Sequence, residues 1–317
     1  MTTLIALDIG GTQMRAARFA PGEYPPQEIR KVPTQNPESS PEETLFQLVE
    51  SLWPADGKVA AIAAALPGPV DLQQGLLLTA PNIPQWRDYP LPQRLEARFG
   101  VPAAMDNDAN LAALGEWRFG AGRGHHYLLY LTVSTGIGGG VILNDRILHG
   151  ARGLAGELGH ITVVPNGPRC GCGQRGHLEA VASGTAIARQ ARAALESGTP
   201  SKLSLHPPPT ARQISEAAAQ GDTLARELLA QAGYYIGVAL ADYLHVFNPT
   251  CLIIGGGVSR SGDLLLDPLR AALREHVMSP EYLKNVTATT ATLGDNAGLM
   301  GALALAEQTA FERPATR

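Results

Sequence analysis

The sequence of 317 residues is poor in cysteine, in charge and in aromatic side chains. Its three cysteines are too few for a disulfide scaffold and indicate a reducing compartment. Charged residues make up only 17% of the chain, the net charge is −4, and no run is rich in lysine or arginine, which argues against a nucleic-acid partner. The apolar fraction of 44% excludes a disordered chain, because disorder needs low hydrophobicity and high net charge.

Signals for targeting or membrane insertion are also missing. Residues 1–10 contain no basic start, no long apolar stretch and no small-residue cleavage site. The longest uncharged stretch, residues 124–144, is interrupted by Ser134, Thr135 and a run of glycines, whereas a membrane span needs about 20 mostly apolar residues in helical register. We therefore expect a cytoplasmic protein without a membrane partner.

Glycine is abundant, with 35 residues, and it interrupts apolar runs in a repeated pattern. The apolar stretch 3–8, the pair Gly10-Gly11 and the alternating stretch 13–19 predict an N-terminal hairpin. The apolar run 127–133 meets a second glycine turn, and Ile9-Gly10-Gly11 recurs as Ile137-Gly138-Gly139, 128 residues further on. The recurrence indicates either a duplicated α/β domain or the chance repetition of a common tripeptide, and the pattern alone leaves both open.

The remaining patterns alternate between helix and strand, which predicts the α/β class. Capping residues and helical spacing of apolar residues predict helices over residues 42–52, 106–119, 186–195, 214–219, 223–245 and 298–308. Apolar runs predict a buried strand at 59–66 and a last strand at 250–254, which is followed by glycines that open a further helix.

Three glycine turns follow three apolar strands, at Asp8–Thr12, Ser134–Gly140 and Gly255–Gly257. Backbone N–H groups in such turns can surround a phosphate, and glycine lets the phosphate approach closely, although ordinary hairpin turns leave the same pattern. Asp8 and Thr135 add a carboxylate and a hydroxyl that suit contact with Mg²⁺ and phosphate. The sequence of a P-loop does not occur.

The stretch Asn107-Asp108-Ala109-Asn110 begins a predicted helix and allows two interpretations. The first is simple capping of the helix, for which Asn and Asp are common residues. In the second, Asp108 is a general base that the helix dipole keeps ionised, so that it can accept a proton from a hydroxyl group. Spacing alone does not separate the two.

A candidate metal site surrounds two of the three cysteines. Cys170 and Cys172 flank one glycine, and His160 and His177 lie within ten residues on either side. Two thiolates and two imidazoles can complete a tetrahedral zinc site, while the alternative is a pair of free thiols with His177 in solvent. Cys251 lies within an apolar strand and is interpreted as a packing residue.

Eight motifs in order resemble the ROK family (repressors, open reading frames and sugar kinases), most of all its bacterial glucokinases. The resemblance extends from residue 4 to about residue 306. The motifs are DIGGT at 8–12, LPGPVD at 66–71, PNIPQW at 81–86, NDAN at 107–110, STGIGGG at 134–140, GELGH at 156–160, CGCG at 170–173 and GHLE at 176–179.

This resemblance implies the actin-like ATPase (ribonuclease H-like) fold, with two α/β domains flanking a cleft. The smaller N-terminal domain would comprise residues 1–109 plus 298–317. The larger C-terminal domain, residues 110–297, would carry the zinc loop and form a homodimer.

The resemblance further implies an ATP- and Mg²⁺-dependent hexose kinase that converts glucose to glucose 6-phosphate, with Asp108 as the base. The sugar would be held by Gly68, Asn82, Asn107, Asp108, Glu157, His160 and Glu179. The nucleotide would be held by Asp8 facing Mg²⁺, by Gly10, Gly11, Thr12, Thr135 and Gly136 around the phosphates, and by Gly255, Gly256 and Gly257 beside the adenosine. A structural Zn²⁺ would bind His160, Cys170, Cys172 and His177, where position 177 usually carries a third cysteine in the family.

Several alternatives remain within this resemblance. The acceptor could instead be N-acetylmannosamine, N-acetylglucosamine, fructose or allose. Polyphosphate is disfavoured as the donor, since polyphosphate-using relatives generally lack the cysteine motif. A sugar-responsive regulator without catalysis is the alternative from another class. A repressor of this family needs an N-terminal helix-turn-helix domain, whereas here the first hairpin begins within ten residues of Met1.

Overall fold

The structure is a computed structural model that describes residues 2–55, 57–80 and 82–312. The chain divides into two compact units. Unit 1 comprises Met1–Gly124, Ile147–Gly156 and Asp295–Arg317, and unit 2 comprises His125–Arg146 and Glu157–Gly294.

The helices and strands alternate along the chain as the α/β class requires. In chain order they are β1 (Thr3–Ile9), β2 (Gln13–Phe19), β3 (Glu28–Pro33), α1 (Pro41–Ser51), β4 (Val59–Leu66), β5 (Val70–Asp71), β6 (Leu76–Thr79), β7 (Arg87–Tyr89), α2 (Leu91–Phe99), β8 (Ala103–Asn107), α3 (Asp108–Phe119), β9 (Tyr127–Val133), β10 (Ile137–Leu143), β11 (Arg146–Ile147), α4 (Leu178–Ala182), α5 (Gly184–Glu196), α6 (Ala211–Ala219), α7 (Thr223–Phe247), β12 (Cys251–Gly255), α8 (Asp263–His276), β13 (Thr287–Thr290) and α9 (Ala297–Glu312).

Two five-stranded sheets share one topology. The first has the order β3-β2-β1-β4-β8 and the second β11-β10-β9-β12-β13, so each follows the order 3-2-1-4-5 in its own numbering. In both, the first two strands form an antiparallel hairpin and the later strands run parallel to the first. The predicted N-terminal hairpin is therefore confirmed, and the shared topology favours a duplicated α/β domain over chance repetition of a tripeptide. A third, three-stranded sheet, β5-β6-β7, was not predicted from the sequence.

Burial explains why the central strands are so apolar. In β4 every residue except Ala60 is buried, and β12 is buried throughout. Parallel strands covered on both faces have near-continuous apolar sequences, since neither face meets water. The parallel pairing of β1, β4 and β8 aligns their carboxyl ends, so that Asp8 lies opposite Ala65 and Ala65 lies opposite Asp106.

Three element predictions need correction. The helix predicted over residues 106–119 begins at Asp108, because Asp106 and Asn107 pair with β4 instead. Strand 250–254 is not the last one, because β13 follows it; the threonine-rich, largely exposed sequence of β13 gives no apolar run. The glycines after β12 lead into a 3₁₀ turn, Val258–Ser261, and the next α-helix starts only at Asp263.

Unit 1 extends to Gly124 and also includes Ile147–Gly156 and the chain from Asp295, whereas the family resemblance implied a domain of residues 1–109 plus 298–317. Part of this difference is α3, which packs against α9 within unit 1. Two glycines allow the close approach of the helices: a Cβ on Gly115 would lie 2.5 Å from the Ala297 carbonyl oxygen, and one on Gly301 would overlap the Leu111 carbonyl group. In the described ranges, no helix combines the length and apolar character needed to cross a bilayer.

Candidate active site

The structure separates Asn107 from Asp108 at the start of α3: Asn107 caps the helix and Asp108 follows it. The Asn107 side-chain oxygen accepts hydrogen bonds from the Ala109 and Asn110 N–H groups, at 2.9 and 3.3 Å, and its amide donates to the Gly68 carbonyl oxygen at 3.1 Å. Asn107 is therefore the N-cap of α3. Asp108 is the first helical residue and is exposed. The positive end of the helix dipole favours its ionised form, which suits a proton acceptor.

The first glycine turn brings together residues from two distant motifs. Gly10 donates its N–H to the Gln13 carbonyl oxygen at 2.9 Å, and the Thr12 carbonyl oxygen accepts from the Thr34 N–H at 3.0 Å. A Cβ on Gly11 would overlap the side chain of Asn82, so glycine is required where these two residues meet. The turn and Asn82 thus lie against one another at the edge of the first sheet.

Asp8 has a partner that the sequence did not indicate. The Arg15 guanidinium forms an ion pair with Asp8, and its Nε donates to Asp8 Oδ2 at 3.1 Å. Arg15 also donates to the Asn296 side-chain oxygen at 3.3 Å and to the Asp295 carbonyl oxygen. The carboxylate expected to face Mg²⁺ is therefore held in place by Arg15. Asp8 and Arg15 are paired across the β1–β2 hairpin, and the predicted hairpin is the sequence feature from which this contact could have been inferred.

In unit 2, the second and third glycine turns meet at one cavity of about 830 Å³. Ligand pockets typically enclose about 300–1,000 Å³. Gly256 has φ +86°, and a Cβ there would overlap the Val133 backbone, so this turn packs directly on the end of β9. The lining comprises Ser134, Thr135, Gly184, Thr185, Ala188, Pro209, Thr210, Ala211, Arg212, Ser215, Glu216, Gly257, Val258 and Arg260.

Two helix N-termini border the same cavity, those of α5 and α6. The Gly184 N–H donates to the Ser134 carbonyl oxygen at 2.7 Å, and the Thr185 N–H donates to the Thr135 carbonyl oxygen at 3.3 Å. Helix N-termini favour anions, and Arg260 adds positive charge, whereas the charge of Arg212 is paired with Glu216 at 2.9 Å in the same lining. Sequence analysis predicted Thr135 and Gly257 but missed Thr185, Arg212 and Arg260, because nothing in their local sequence links them to a glycine turn.

The GELGH motif forms a 3₁₀ turn, Leu158–His160, that is clamped from two sides. A Cβ on Gly159 would overlap the Ile137 carbonyl group, and one on Gly139 would lie 2.5 Å from Leu158 Cδ1. From the other side, the Tyr243 hydroxyl donates to the Leu158 carbonyl oxygen. Burial raises the pKa of Tyr243, so the hydroxyl keeps its proton as a donor. The clamp fixes the positions of Glu157 and His160.

Glu179 links this region to the second glycine turn. Its Oε2 accepts the Ile137 N–H at 3.1 Å, and its Oε1 accepts a hydrogen bond from the Cys170 thiol at 3.3 Å. A Cβ on Gly136 would lie 2.5 Å from Glu179 Oε2, which explains the glycine at that position. Glu157, by comparison, is exposed, and its Oε2 lies 3.9 Å from His160 Nε2.

The four predicted metal-binding residues form one cluster. One ligand atom from each of His160, Cys170, Cys172 and His177 lies within 4.8 Å of all the others. Neighbouring atoms are 3.3–3.6 Å apart: His160 Nδ1 to His177 Nδ1 at 3.3 Å, Cys172 Sγ to His177 Nδ1 at 3.3 Å, and Cys170 Sγ to His160 Nδ1 at 3.6 Å. A zinc tetrahedron with bonds of about 2.0–2.3 Å has edges of about 3.3–3.8 Å. Three of the six separations among the ligand atoms therefore match a zinc tetrahedron, the others stay within 4.8 Å, and two thiols with two imidazoles are donor types that suit zinc.

The residues expected to contact the sugar and the nucleotide fall into two groups, one in each unit. Unit 1 holds Asp8, Gly10, Gly11, Thr12, Gly68, Asn82, Asn107 and Asp108. Unit 2 holds Thr135, Gly136, Glu157, His160, Glu179, the metal cluster and Gly255–Gly257. Within each unit the structure brings together residues that are far apart in sequence.

Comparison with known proteins agrees with this geometry. The ROK family model matches residues 4–309. A glucokinase of Streptomyces coelicolor is 36% identical over 97% of this chain and 98% of its own length. The solved structure of a ROK family glucokinase from Streptomyces griseus, in complex with glucose and AMPPNP, superposes with a TM-score of 0.81 at 37% identity and covers 96% of this chain and 99% of that one.

A regulator is similar as well. A ROK family transcriptional regulator described as a homologue of the E. coli MLC protein superposes with a TM-score of 0.88 at 29% identity. The match covers 97% of this chain and 78% of the regulator. Together with the two matching sheet topologies, these likenesses confirm the actin-like ATPase fold.

Proposed function

The chain is a sugar kinase of the ROK family, and from that premise we propose that it transfers the γ-phosphate of ATP to the 6-hydroxyl of glucose. The observation that carries the proposal is the cavity of unit 2, which is lined by two glycine turns, two helix N-termini, Arg260 and the Arg212–Glu216 ion pair. This combination suits a polyanion such as a nucleotide. The glucokinase relatives that match over nearly their whole length support glucose as the acceptor.

On the donor side, we assign the phosphates to Thr135 and Gly136 of unit 2 and to Gly10, Gly11 and Thr12 of unit 1. Gly255, Gly256 and Gly257 border the adenosine. Mg²⁺ supplies charge neutralisation to the phosphates when it is bound, and Asp8, held by Arg15, is the carboxylate that faces it. Phosphoryl transfer depends mainly on positioning and charge stabilisation, so these groups suffice for the donor side.

On the acceptor side, Asp108 takes the proton from the sugar hydroxyl as the bond from that oxygen to the γ-phosphorus forms and the bond from the γ-phosphorus to ADP breaks. Asn82, Glu157, His160 and Glu179 hydrogen-bond the other hydroxyls. Asn107 and Gly68 act differently, since their mutual hydrogen bond and the cap on α3 hold the residues beside Asp108. A site that hydrogen-bonds each hydroxyl discriminates strongly against sugars that lack one.

We also propose a structural Zn²⁺ held by His160, Cys170, Cys172 and His177. Four protein ligands leave no open position, so the metal stabilises the loop and does not activate water. His160 uses Nδ1 within the cluster, and its Nε2 lies on the side of Glu157. Metal binding at one ring nitrogen fixes the tautomer, so the other nitrogen can donate to a sugar hydroxyl.

An assay of ADP release over a panel of hexoses and N-acetylhexosamines tests the proposed reaction. We expect the highest kcat/KM with glucose and lower values with fructose, allose, N-acetylglucosamine and N-acetylmannosamine. Replacing ATP with polyphosphate should give little sugar phosphate. A preference for an N-acetylhexosamine would contradict the substrate, and sugar binding without any turnover would favour a regulator over a kinase.

We further propose a cytoplasmic homodimer formed through unit 2. The exposed apolar side chains of Val246 and Met278 support this surface, since both lie next to His245, whose ring accepts the Met278 N–H at 3.0 Å. Light scattering at micromolar concentration should give about twice the chain mass of 33.4 kDa. A mass near that of one chain would contradict the dimer.

A further inference from the structure

A buried carboxylate lies at the end of β8, two residues before the proposed base. Asp106 is only 3% exposed at its side chain and accepts three hydrogen bonds. Its Oδ1 accepts the Asn107 N–H at 2.7 Å and the Asn110 amide at 3.1 Å, and its Oδ2 is 2.6 Å from His149 Nε2. Because an ionised carboxylate can only accept, His149 must carry a proton on Nε2.

His149 is a suitable charge partner for this carboxylate. Burial lowers the pKa of His149, but the hydrogen bond to Asp106 and its negative charge outweigh that effect and raise the pKa above its usual value. The imidazolium form therefore persists to higher pH than in an exposed histidine. Two opposite charges meet beside the start of α3.

The position of His149 is set by several contacts within unit 1. It belongs to Ile147–Gly156, which is part of unit 1 although the residues before and after it belong to unit 2. The His149 carbonyl oxygen accepts the Ala155 N–H at 3.2 Å, and the Ala151 carbonyl oxygen accepts from Gln73 at 3.1 Å. Gly153, with φ +82°, packs on the Val70 carbonyl oxygen.

Asp106 in turn controls the residues on both sides of Asp108. It holds the backbone of Asn107, the N-cap of α3, and it holds the side chain of Asn110. The buried Asn110 Oδ1 has no hydrogen-bond donor among the described residues, and the hydrogen bond from its amide to Asp106 orients this side chain. A change at Asp106 would therefore disturb the backbone that carries Asp108.

We propose that His149 is a positioning residue for the proton-accepting carboxylate: by donating a hydrogen bond and a positive charge to buried Asp106, it fixes the strand end that carries Asp108. The inference rests on the proposed role of Asp108 in the kinase reaction. His149 also places a positive charge against Asp106, so that the strand end beside Asp108 carries a balanced pair and not a bare anion.

Other charged groups lie on the surrounding elements. Asp8 and Arg15 form an ion pair on β1 and β2, Asp71 ends β5, and Arg152 is exposed on the same segment as His149. All four are unchanged in the variants below. A change in the pH profile of these variants therefore reports on the His149–Asp106 pair.

The test compares His149→Gln with a matched control, His126→Gln. His126 also pairs with an aspartate, Asp145, at 2.7 Å, but both side chains are largely exposed, at 68% and 47%. For His149→Gln we expect kcat to fall by about 10- to 100-fold, the range that misplacement of a reacting group produces, with KM for glucose within about twofold. The acidic limb of the profile of kcat/KM should move to higher pH, since an unbalanced Asp106 raises the pKa of Asp108.

Two further measurements separate positioning from general destabilisation. Adding Asp106→Asn to His149→Gln removes the unbalanced charge, so the acidic limb should return toward that of the wild type while kcat stays low. Hydrogen exchange of the amides at residues 106–110 should be faster in His149→Gln and unchanged in His126→Gln.

The inference is wrong if the wild type is active and His149→Gln has the same kcat and the same acidic limb in its pH profile. It also fails if kcat is unchanged and KM rises in step with a lower melting temperature, which is the signature of a structural role alone. If the wild type has no kinase activity, the proposed function fails. Hydrogen exchange then tests separately whether His149 holds the strand end at Asp106. Faster exchange in His149→Gln supports this role, and unchanged exchange contradicts it.

Discussion

Replacing Asp108 with asparagine is expected to lower turnover of glucose and ATP by about 10²–10⁴-fold, the usual effect of losing a general base. Asparagine keeps the shape of the side chain but cannot accept the proton of the sugar hydroxyl. The N-cap is a different residue, Asn107, so α3 should form as before. Steady-state kinetics gives the loss of turnover, and calorimetric titration should show that glucose still binds.

Asp263→Asn is the matched control for this experiment. Asp263 is also the first residue of its helix, α8, and its side chain is 79% exposed. A general effect of removing a carboxylate at a helix N-terminus would appear in both variants. If Asp108→Asn keeps more than about a tenth of the wild-type turnover, the assignment of the general base is wrong.

Removal of the proposed metal is the second large effect. Protein purified without added metal should contain about one zinc per chain, and His177→Ala should lose it, because three ligands cannot complete a closed tetrahedral site. Cys170, Cys172 and His177 lie on a segment with little regular structure, and the same segment leads to Glu179. We expect KM for glucose to rise about 10- to 100-fold, the range seen when groups that orient metal ligands are lost, before the protein unfolds.

The pH dependence of zinc content gives an independent check. Burial raises the pKa of Cys170 to about 11 in the metal-free protein, and the thiol must lose its proton to bind zinc. Protons therefore compete with the metal, and zinc retention in the presence of a chelator should fall as the pH is lowered. Elemental analysis measures this, with His126→Gln as the control that keeps its zinc. Fully active wild type without metal would contradict the site.

Local patterns were sufficient for much of the fold and for the identity of many site residues. The two hairpins, strand β4 and most helices follow from apolar periodicity and from glycine or capping residues within a few positions. The spacing of Cys170 and Cys172 likewise selected the four residues of the candidate metal site. Each of these inferences depends on residues that are neighbours along the chain, and so it can be read without coordinates.

Hydrogen bonds in the structure decided between the alternatives that local patterns had left open. Asn107 and Asp108 are both ordinary residues for a helix start, and only the hydrogen bonds to Ala109, Asn110 and Gly68 show which one is the cap. His177 could have faced solvent, but the loop turns its ring toward Cys172.

The sequence by itself determined the family motifs, the duplicated hairpins and the residue types available for phosphate, proton and metal chemistry. The tertiary structure decided which of them meet: the glycine turns of β9 and β12 at one cavity, and His149 with Asp106. The physical reason is the separation along the sequence of the residues that determine each feature. A turn or a helix start depends on a few adjacent residues, whereas an ion pair or a cavity wall depends on how segments far apart in sequence pack together.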